Sequence, residues 1–262
     1  MGNPPSLPPP SLRKGEQNRG ATAGFARGNG NGRNGRNERN GVQRIHPRAD
    51  IPRAIAPLRD KPVYRFAKRA MDLIVGGLLL LAATPLLALL AVAIRLDSWG
   101  PVFFWQTRVG EGGREFRMWK LRSMHDDAED RLHHVAHLDI HGHGRHFKVL
   151  DDPRVTRVGG LLRRFSLDEL PQLFNVVRGE MSLVGPRPPI PAEVLRYSAR
   201  ELHRLTVPGG LTGLWQVSGR SLLSFDQCIK LDHEYIANRS FFRDLVILIR
   251  TALVVLTGHG AY

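Results

Sequence analysis

Two adjacent carboxylates, Asp168 and Glu169, are the side chains of this sequence best suited to chemistry. They follow the cation Arg163 in a segment whose pattern predicts the first turn of a helix. Cations and a helix N-terminus favour the charged form of an acid, and an ionised carboxylate can act as a nucleophile or a metal ligand. Ser166 and Glu169 also match a helix capping box, so these residues alone leave a purely structural role open.

Cations and stiff loops recur through the second half of the sequence. Those that we single out are Lys120, Arg122, Arg163, Arg187, Arg220 and the loop prolines Pro186 and Pro188. Each alone is typical of surface turns and strand ends. However, arginine forks bind phosphate oxygens, and Mg²⁺ bridges such oxygens to carboxylates. Together with the acidic pair, this set of residues indicates phosphate chemistry.

A membrane segment precedes these residues. Residues 71–96 are apolar apart from Asp72 and Arg95, and roughly 20 apolar residues suffice to cross a bilayer. Thr84 and Pro85 lie at the middle, where proline removes a helical hydrogen bond and bends the helix. Lys and Arg flank both ends, and such flanks mark the cytoplasmic side. A simple spanning helix is the alternative, but a re-entrant helix–break–helix keeps both flanks on one side.

The remaining segments predict a mixture of strands and helices. A β-hairpin is expected over 102–109 and 115–121 with its turn at 111–114, and helices over 126–138, 161–177 and 191–205. Residues 241–256 combine apolar stretches with widely spaced charges, as in an interfacial helix or an ordinary core helix. We therefore expect an α+β, helix-rich monotopic membrane protein in three parts: a tail (1–60), the membrane element (61–97) and a cytosolic domain (98–262).

Composition narrows the classes of protein that fit. The 262 residues carry a formal net charge of +14, and residues 1–60 hold 11 Lys and Arg against 4 Asp and Glu. This first part is rich in Pro, Gly and Asn and poor in apolar residues, which predicts a disordered basic tail able to contact anionic lipid or nucleic acid. The single cysteine, Cys228, excludes an internal disulfide and a cysteine-rich zinc site.

A cluster of histidines raises the question of a zinc site. Its members are His125, His133, His134, His137, His141, His143 and His146. His133 and His137 are four residues apart and could share one helix face. Their irregular spacing favours a polar surface segment over a metal site.

The ordered set of motifs resembles the bacterial sugar transferase family, the monotopic phosphoglycosyl transferases that start exopolysaccharide or O-glycan assembly. The residues that carry the resemblance are the apolar segment with Pro85, residues 120–124, 152–154, 166–172 and 181–188, and the glycine-rich segment 208–220. The resemblance covers about 66–262. It implies a re-entrant membrane helix joined to a small catalytic domain on the cytoplasmic face of the bacterial inner membrane.

The resemblance also implies a reaction. A UDP-hexose would donate its sugar-1-phosphate to undecaprenyl phosphate, with release of UMP. Asp168 would form a covalent phosphosugar intermediate, and Glu169 beside it would help to hold Mg²⁺. Lys120, Arg122 and Arg163 would bind phosphate oxygens. The loop around Arg187, with Pro186 and Pro188, and Arg220 would face the nucleotide and sugar.

Some expectations concern the subgroup and the partners. Thr84 replaces the serine that commonly precedes the kinking proline, but it retains a hydroxyl. Longer relatives carry additional N-terminal membrane helices, so we expect this chain among the compact, exopolysaccharide-initiating galactosyl- or glucosyl-phosphate transferases. The apolar surface is compatible with a homodimer. A nucleic-acid binder would need basic and aromatic residues clustered on a folded module, which the sequence does not show, and a scaffold without catalysis would lack the acidic pair.

Overall fold

The computed structural model describes residues 55–138, 149 and 151–257. The expected tail lies outside these residues up to position 54, as do His141, His143 and His146. The α-helices are α1 (Pro62–Asp97), α2 (Leu132–Val135), α3 (Arg157–Arg164), α4 (Gln172–Arg178), α5 (Pro191–Val194), α6 (Ala199–Leu202), α7 (Phe225–Ala237) and α8 (Phe241–Thr257). The strands are β1 (Phe103–Val109), β2 (Glu115–Leu121), β3 (Ser182–Val184) and β4 (Gly210–Thr212).

The apolar segment forms one helix, α1, that continues through Pro85. Thr84 Oγ1 donates a hydrogen bond of 2.9 Å to the Leu80 carbonyl, where proline interrupts the backbone pattern. By length and composition α1 could cross a membrane. At about 1.5 Å per residue, its 36 residues are longer than the roughly 30 Å that a bilayer core requires. The described chain thus shows no break at Pro85, and the re-entrant path stays a prediction.

One stripe of α1 packs along the rest of the protein. Its buried positions include Lys68, Asp72, Gly76, Ala83 and Ile94. These are separated by 4, 4, 7 and 11 residues, which places them on one face of a helix. The other faces expose large apolar side chains, and Leu78 and Leu81 are 64% and 72% exposed. The protein therefore contacts α1 along one stripe, including the middle of the helix at Ala83, and leaves a wide apolar surface uncovered.

Polar contacts fix both ends of α1 to the domain. The Asp72 carboxylate accepts hydrogen bonds of 2.9 Å from Ser182 Oγ and from the Leu183 backbone N–H. At the other end, Asp97 accepts from the Val158 N–H at 3.0 Å. Buried polar groups that are hydrogen-bonded in this way fix the orientation of α1 relative to the domain as well as its position. The apolar helix is thus part of the domain's own structure and more than a tether.

Two small sheets support the loops of the domain. β1 and β2 pair antiparallel over their full length around a short 3-10 turn, Glu111–Gly113, which confirms the predicted hairpin. β3 and β4 form a parallel pair that was not predicted. At Gly210 a Cβ atom would come within 2.1 Å of the Gly185 nitrogen, so only glycine allows these backbones to approach so closely. The α+β, helix-rich class is confirmed.

Several predicted helices were wrong in extent. Residues 161–177 divide into α3, a 3-10 helix at Leu167–Glu169, and α4, because Ser166 adopts a left-handed conformation with φ 55°. Residues 191–205 divide because Ser198 starts α6 with a new capping box. Only Leu132–Val135 of the predicted 126–138 helix is α-helical, followed by a 3-10 turn. The predicted C-terminal helix is present as α8.

A buried ion pair joins α1 to α8. Lys68 Nζ lies 2.8 Å from Asp244 Oδ2 and donates a second bond of 2.8 Å to the Val184 carbonyl. The Asp244 side chain is 0% exposed and also accepts from Tyr235 OH at 2.8 Å. Removing one partner of such a pair leaves an uncompensated buried charge.

We expect Lys68→Met to lower the free energy of unfolding by about 3–5 kcal/mol, as for other broken buried ion pairs. Unfolding by denaturant in detergent micelles measures the change. The double variant Lys68→Met/Asp244→Asn should recover much of the loss, because it removes the stranded charge. Lys61→Met, at an exposed lysine just before α1, is the matched control. Equal stability of Lys68→Met and the wild type would contradict this account of the pair.

Candidate active site

The acidic pair lies on the 3-10 helix Leu167–Glu169, directly after the left-handed residue Ser166. The Ser166 side chain caps no helix, so the capping-box alternative was wrong. Its Oγ instead accepts a 2.5 Å hydrogen bond from Arg220, which is itself left-handed with φ 50°. Non-glycine residues rarely adopt this conformation, and such outliers cluster at functional sites. Two of them are joined here, next to the carboxylates.

Glu169 binds two cations that come from different elements. Arg187 makes a fork to both carboxylate oxygens, at 2.6 and 3.3 Å, and Lys120 Nζ lies 3.1 Å from Oε1. Burial by itself would raise the pKa of Glu169, but the charges of Arg187 and Lys120 outweigh it and hold that pKa well below its usual range. Glu169 is therefore ionised and fixed in place.

Asp168 has a different environment although it is the next residue. Its side chain is buried, and among the described residues its ion pair is with Lys120 Nζ at 3.9 Å. Burial raises the pKa of Asp168, and the charge of Glu169 adds to this effect against the opposing fields of Lys120, Arg163 and Arg187. At Asp168 the neighbouring cations therefore do not outweigh burial, unlike at Glu169. Desolvation is the larger effect there.

The other predicted cations divide into two groups. Arg163 and Arg220 lie close enough to Asp168 to interact with its charge. Arg163 Nε also donates a hydrogen bond of 3.0 Å to Ser123 Oγ. Arg122 instead donates hydrogen bonds to two backbone carbonyls of the turn after α1. Its NH2 group lies 2.7 Å from the Ser98 oxygen, and its NH1 group donates to the Trp99 oxygen. The structure therefore brings Lys120, Arg163, Arg187 and Arg220 to the acidic pair but places Arg122 where it fixes the α1–β1 turn.

The loop prolines act mainly through the backbone. The Pro186 carbonyl accepts from the Gly210 N–H at 2.9 Å, and the Pro188 carbonyl accepts from Arg108 NH1 at 3.0 Å. These bonds fix both ends of the loop that carries Arg187. The stiff loop that the sequence predicts is present, and its rigidity comes from contacts with two strands.

Sequence reasoning missed Arg108 as a residue of this site. It lies near Arg187 and Glu169, and burial together with the neighbouring Arg187 charge lowers the pKa of Arg108 to about 10. In the hairpin Phe104 pairs with Lys120, and residues two apart share a face. Arg108 therefore lies on the Lys120 face. Strand alternation combined with the predicted turn could have identified it.

The oxygen donors of Asp168 and Glu169 determine whether the two carboxylates could form a magnesium site. Mg²⁺ in phosphate-transfer sites is bound by one or two carboxylates, with waters and substrate phosphates completing its shell. Asp168 and Glu169 supply these two carboxylates. Arg187 and Lys120 already contact the oxygens of Glu169, so a metal that arrives with its substrate would share that carboxylate with them. No cluster of three or more His, Cys, Asp or Glu side chains with metal-binding geometry occurs in the part of the chain that the structure describes, which includes four of the seven histidines.

Comparison with known proteins identifies the family. Residues 63–258 match the family described as Bacterial sugar transferase. The chain belongs to this family. The match includes the acidic pair, the surrounding cations and the whole of α1 except its first residue. The family prediction made from the motifs is confirmed.

Three relatives illustrate the range of this family. The exopolysaccharide production protein ExoY of Rhizobium meliloti is 38% identical over 205 residues, which are 77% of this chain and 91% of ExoY. The UDP-glucose:undecaprenyl-phosphate glucose-1-phosphate transferase of Caulobacter vibrioides is 42% identical, over 83% of this chain and 77% of the relative. The galactosyl transferase CpsE of Streptococcus agalactiae is 44% identical over 74% of this chain. The chain spans only 43% of CpsE.

The opposite pKa shifts of the two acids predict opposite effects on stability. A raised folded-state pKa means that ionised Asp168 destabilises the fold above its ordinary pKa, so Asp168→Asn should raise Tm at pH 7 by about 2–4 °C, the effect of about 1 kcal/mol. This gain should disappear below about pH 4, where the acid is protonated in both states. Glu169→Gln, the matched control, should lower Tm because Arg187 and Lys120 lose their partner. Thermal melts at both pH values test this, and a fall in Tm for Asp168→Asn would contradict it.

Proposed function

We propose that this chain transfers hexose-1-phosphate from a UDP-hexose to undecaprenyl phosphate through a covalent intermediate on Asp168, with release of UMP, and so initiates exopolysaccharide or related glycan synthesis. The observation that carries this proposal is the asymmetry of the acidic pair. Glu169 forms ion pairs of 2.6 Å with Arg187 and 3.1 Å with Lys120. Asp168 is buried beside it, and its ion pair with Lys120 is longer, at 3.9 Å. One acid is fixed, and the other is free to react.

The charge of the site suits a diphosphate. Five cations surround the two carboxylates, namely Lys120, Arg108, Arg163, Arg187 and Arg220. Positive charges in a partly dehydrated site interact strongly with phosphate oxygens, and arginine presents paired N–H donors that match them. An excess of cations at a buried acid therefore favours an anionic substrate over a neutral one.

The first chemical step follows from the position of Asp168. Its carboxylate oxygen attacks the β-phosphorus of the donor, and the bond from that phosphorus to the oxygen bridging the two phosphates breaks, so UMP leaves with the bonding electrons. Lys120 and the arginines stabilise charge as it moves onto UMP. Asp168 and Glu169 would hold Mg²⁺, which supplies further neutralisation of the diphosphate and a better leaving group.

The second step returns the enzyme to its starting state. A phosphate oxygen of undecaprenyl phosphate attacks the phosphorus bound to Asp168, and the aspartyl–phosphorus bond breaks. Ionised Asp168 and a lipid-diphosphate sugar result. Dividing the transfer in this way lets one site serve a water-soluble donor and a lipid acceptor in turn.

We propose a monotopic placement on the cytoplasmic face of the inner membrane, and the packing of α1 supports the monotopic part of this proposal. A crossing helix would leave the domain for roughly 20 residues, whereas α1 contacts the domain near Lys68 and again near Ile94. Apolar side chains are exposed in its first turn and just after its last turn, with Val63 82% and Trp99 90% exposed. On α8, Phe242 is 77% exposed, as expected of a helix lying in the interface. The homodimer stays a prediction.

Donor turnover without acceptor tests the covalent route. Detergent-solubilised protein with UDP-hexose and Mg²⁺ should exchange labelled UMP into the donor in the absence of undecaprenyl phosphate, because the first step is reversible. Asp168→Asn should reduce the exchange at least 10³-fold, an order of magnitude typical for loss of a nucleophile. The exposed Asp130→Asn is the matched control and should retain wild-type exchange. Transfer that requires both substrates together would contradict the proposal.

The membrane path of α1 can be tested by labelling. In a Cys228→Ala background, Val63→Cys places an exposed thiol in the first turn of α1, and Trp99→Cys places one two residues after its end. We expect an impermeant maleimide to label both thiols only after the inner membrane is opened, since both lie on the cytoplasmic side. Labelling of one position from the periplasm would show that α1 crosses the bilayer.

A further inference from the structure

A buried asparagine of α4, Asn175, connects the helix that follows the acidic pair to the strand that carries Lys120. Asn175 is 0% exposed, and its amide bonds to groups outside its own helix. The Oδ1 atom accepts from the Trp119 backbone N–H at 3.1 Å, and Nδ2 donates to the Arg117 carbonyl at 2.7 Å. Nδ2 also donates to Glu180 Oε2 at 2.6 Å. An asparagine inside a helix is a weak helix former, so this position contributes through the strand that it binds.

These three bonds define one orientation of the amide. The Trp119 N–H can only donate, whereas the Arg117 carbonyl and the Glu180 carboxylate accept. Turning the amide over would place a donor against a donor and an acceptor against two acceptors. A buried polar group with all of these partners is held rigidly.

The amide takes the place of a neighbouring strand at one edge of β2. The other edge of β2 is paired with β1, and these two strands form a sheet of their own. A third strand would bond to the same kind of groups that Asn175 uses, a carbonyl and an N–H two residues apart. Lys120 follows Trp119 directly, so Asn175 fixes the strand one residue before the lysine.

Asn175 is also joined to the acidic pair through hydrogen-bonded turns. The 3-10 helix Leu167–Glu169 leads into α4, and between them the Leu173 N–H donates 3.1 Å to the Leu170 carbonyl. Asn175 follows the 3-10 helix by six residues, which is roughly 9 Å of helix. A shift of β2 relative to α4 would therefore move Lys120 relative to both acids.

We propose that Asn175 is a positioning residue that holds Lys120 at the acidic pair. The inference rests on the proposed function, in which Lys120 stabilises charge as it moves onto UMP. Lys120 Nζ lies 3.1 Å from Glu169 and 3.9 Å from Asp168. The side chain of lysine is long and flexible, so these distances require a fixed backbone. A displacement of about 1 Å at an active site can reduce the rate about 10²-fold. Asn175 acts on the reaction through this distance and touches no substrate.

Amine labelling of the full chain in detergent measures the position of Lys120 without turnover. The Lys120 side chain is 18% exposed, and in Asn175→Ala an amine-reactive reagent should modify it about 3-fold faster or more, because local opening of β2 gives the reagent access. The exposed Lys230 and the buried Lys68 should react at their wild-type rates. An unchanged rate at Lys120, or an equal increase at Lys68, would overturn the proposal.

A double-mutant cycle on the exchange of labelled UMP into the donor tests whether Asn175 acts through Lys120. Lys120→Met should reduce the exchange about 10²-fold and Asn175→Ala about 10-fold. If the asparagine acts through the lysine, the double variant should exchange at the rate of Lys120→Met. A purely structural role would multiply the two losses to about 10³-fold, and that result would refute the positioning role.

A second variant keeps the cycle decisive if Asn175→Ala folds poorly. Glu180→Ala removes the carboxylate that orients the amide, at a side chain that is 28% exposed. It should reduce the exchange about 3-fold in the wild type and leave the rate of Lys120→Met unchanged. Equal losses in both backgrounds would count against the proposal. The matched control is Asn238→Ala, which removes an exposed amide that donates 3.1 Å to the Glu234 carbonyl and should retain wild-type exchange.

The two measurements separate this inference from the proposed function. A wild-type protein that exchanges no UMP would contradict the transferase reaction, while the labelling of Lys120 would still decide whether Asn175 holds the lysine. Wild-type exchange with multiplied losses in the cycle would contradict the role of Asn175 alone.

Discussion

The site depends on the carboxylate of Glu169, which binds cations from two separate parts of the chain. Lys120 comes from the end of β2 and Arg187 from the loop after β3, and both reach Glu169 within 3.1 Å. Without this charge, two partly buried cations would repel each other next to Asp168. Glu169 therefore lets positive charge collect around a second acid without neutralising it by direct contact. Burial of the Asp168 carboxylate disfavours its charged form and so destabilises the fold locally. Functional sites commonly carry such a local loss of stability.

Helix α1 and the loop that carries Arg187 share one set of hydrogen bonds. The Val184 carbonyl accepts from Lys68 in α1 at 2.8 Å and from Tyr235 in α7 at 3.3 Å. Val184 is the last residue of β3, and the loop that carries Arg187 begins directly after it. A shift of α1 relative to the domain would therefore act on the loop through a short, buried path. Such coupling would suit the proposed lipid acceptor, because the helix that we expect to contact lipid also supports the residues proposed to bind phosphate.

Sequence patterns predicted the features that local chemistry determines. The hairpin followed from strand alternation around a Gly-Gly turn, and α1 from an apolar run far longer than a core helix needs. The patterns failed where tertiary contacts dominate. A left-handed Ser166 interrupts the helix predicted over 161–177, and its side chain accepts a hydrogen bond from Arg220, 54 residues away. Arg122 is adjacent in sequence to the site yet points into the α1–β1 turn. The raised pKa of Asp168 depends on burial, which neighbouring charges in the sequence could not reveal.

The central claim is that Asp168 becomes covalently bound to the sugar phosphate. Intact-protein mass spectrometry after mixing with UDP-hexose and Mg²⁺, without lipid acceptor, tests it most directly. We predict an added mass of one hexose phosphate that maps to the peptide containing Asp168, that is absent in Asp168→Asn and that disappears when undecaprenyl phosphate is supplied. An unmodified protein that nevertheless releases UMP, or an adduct on another residue, would contradict it.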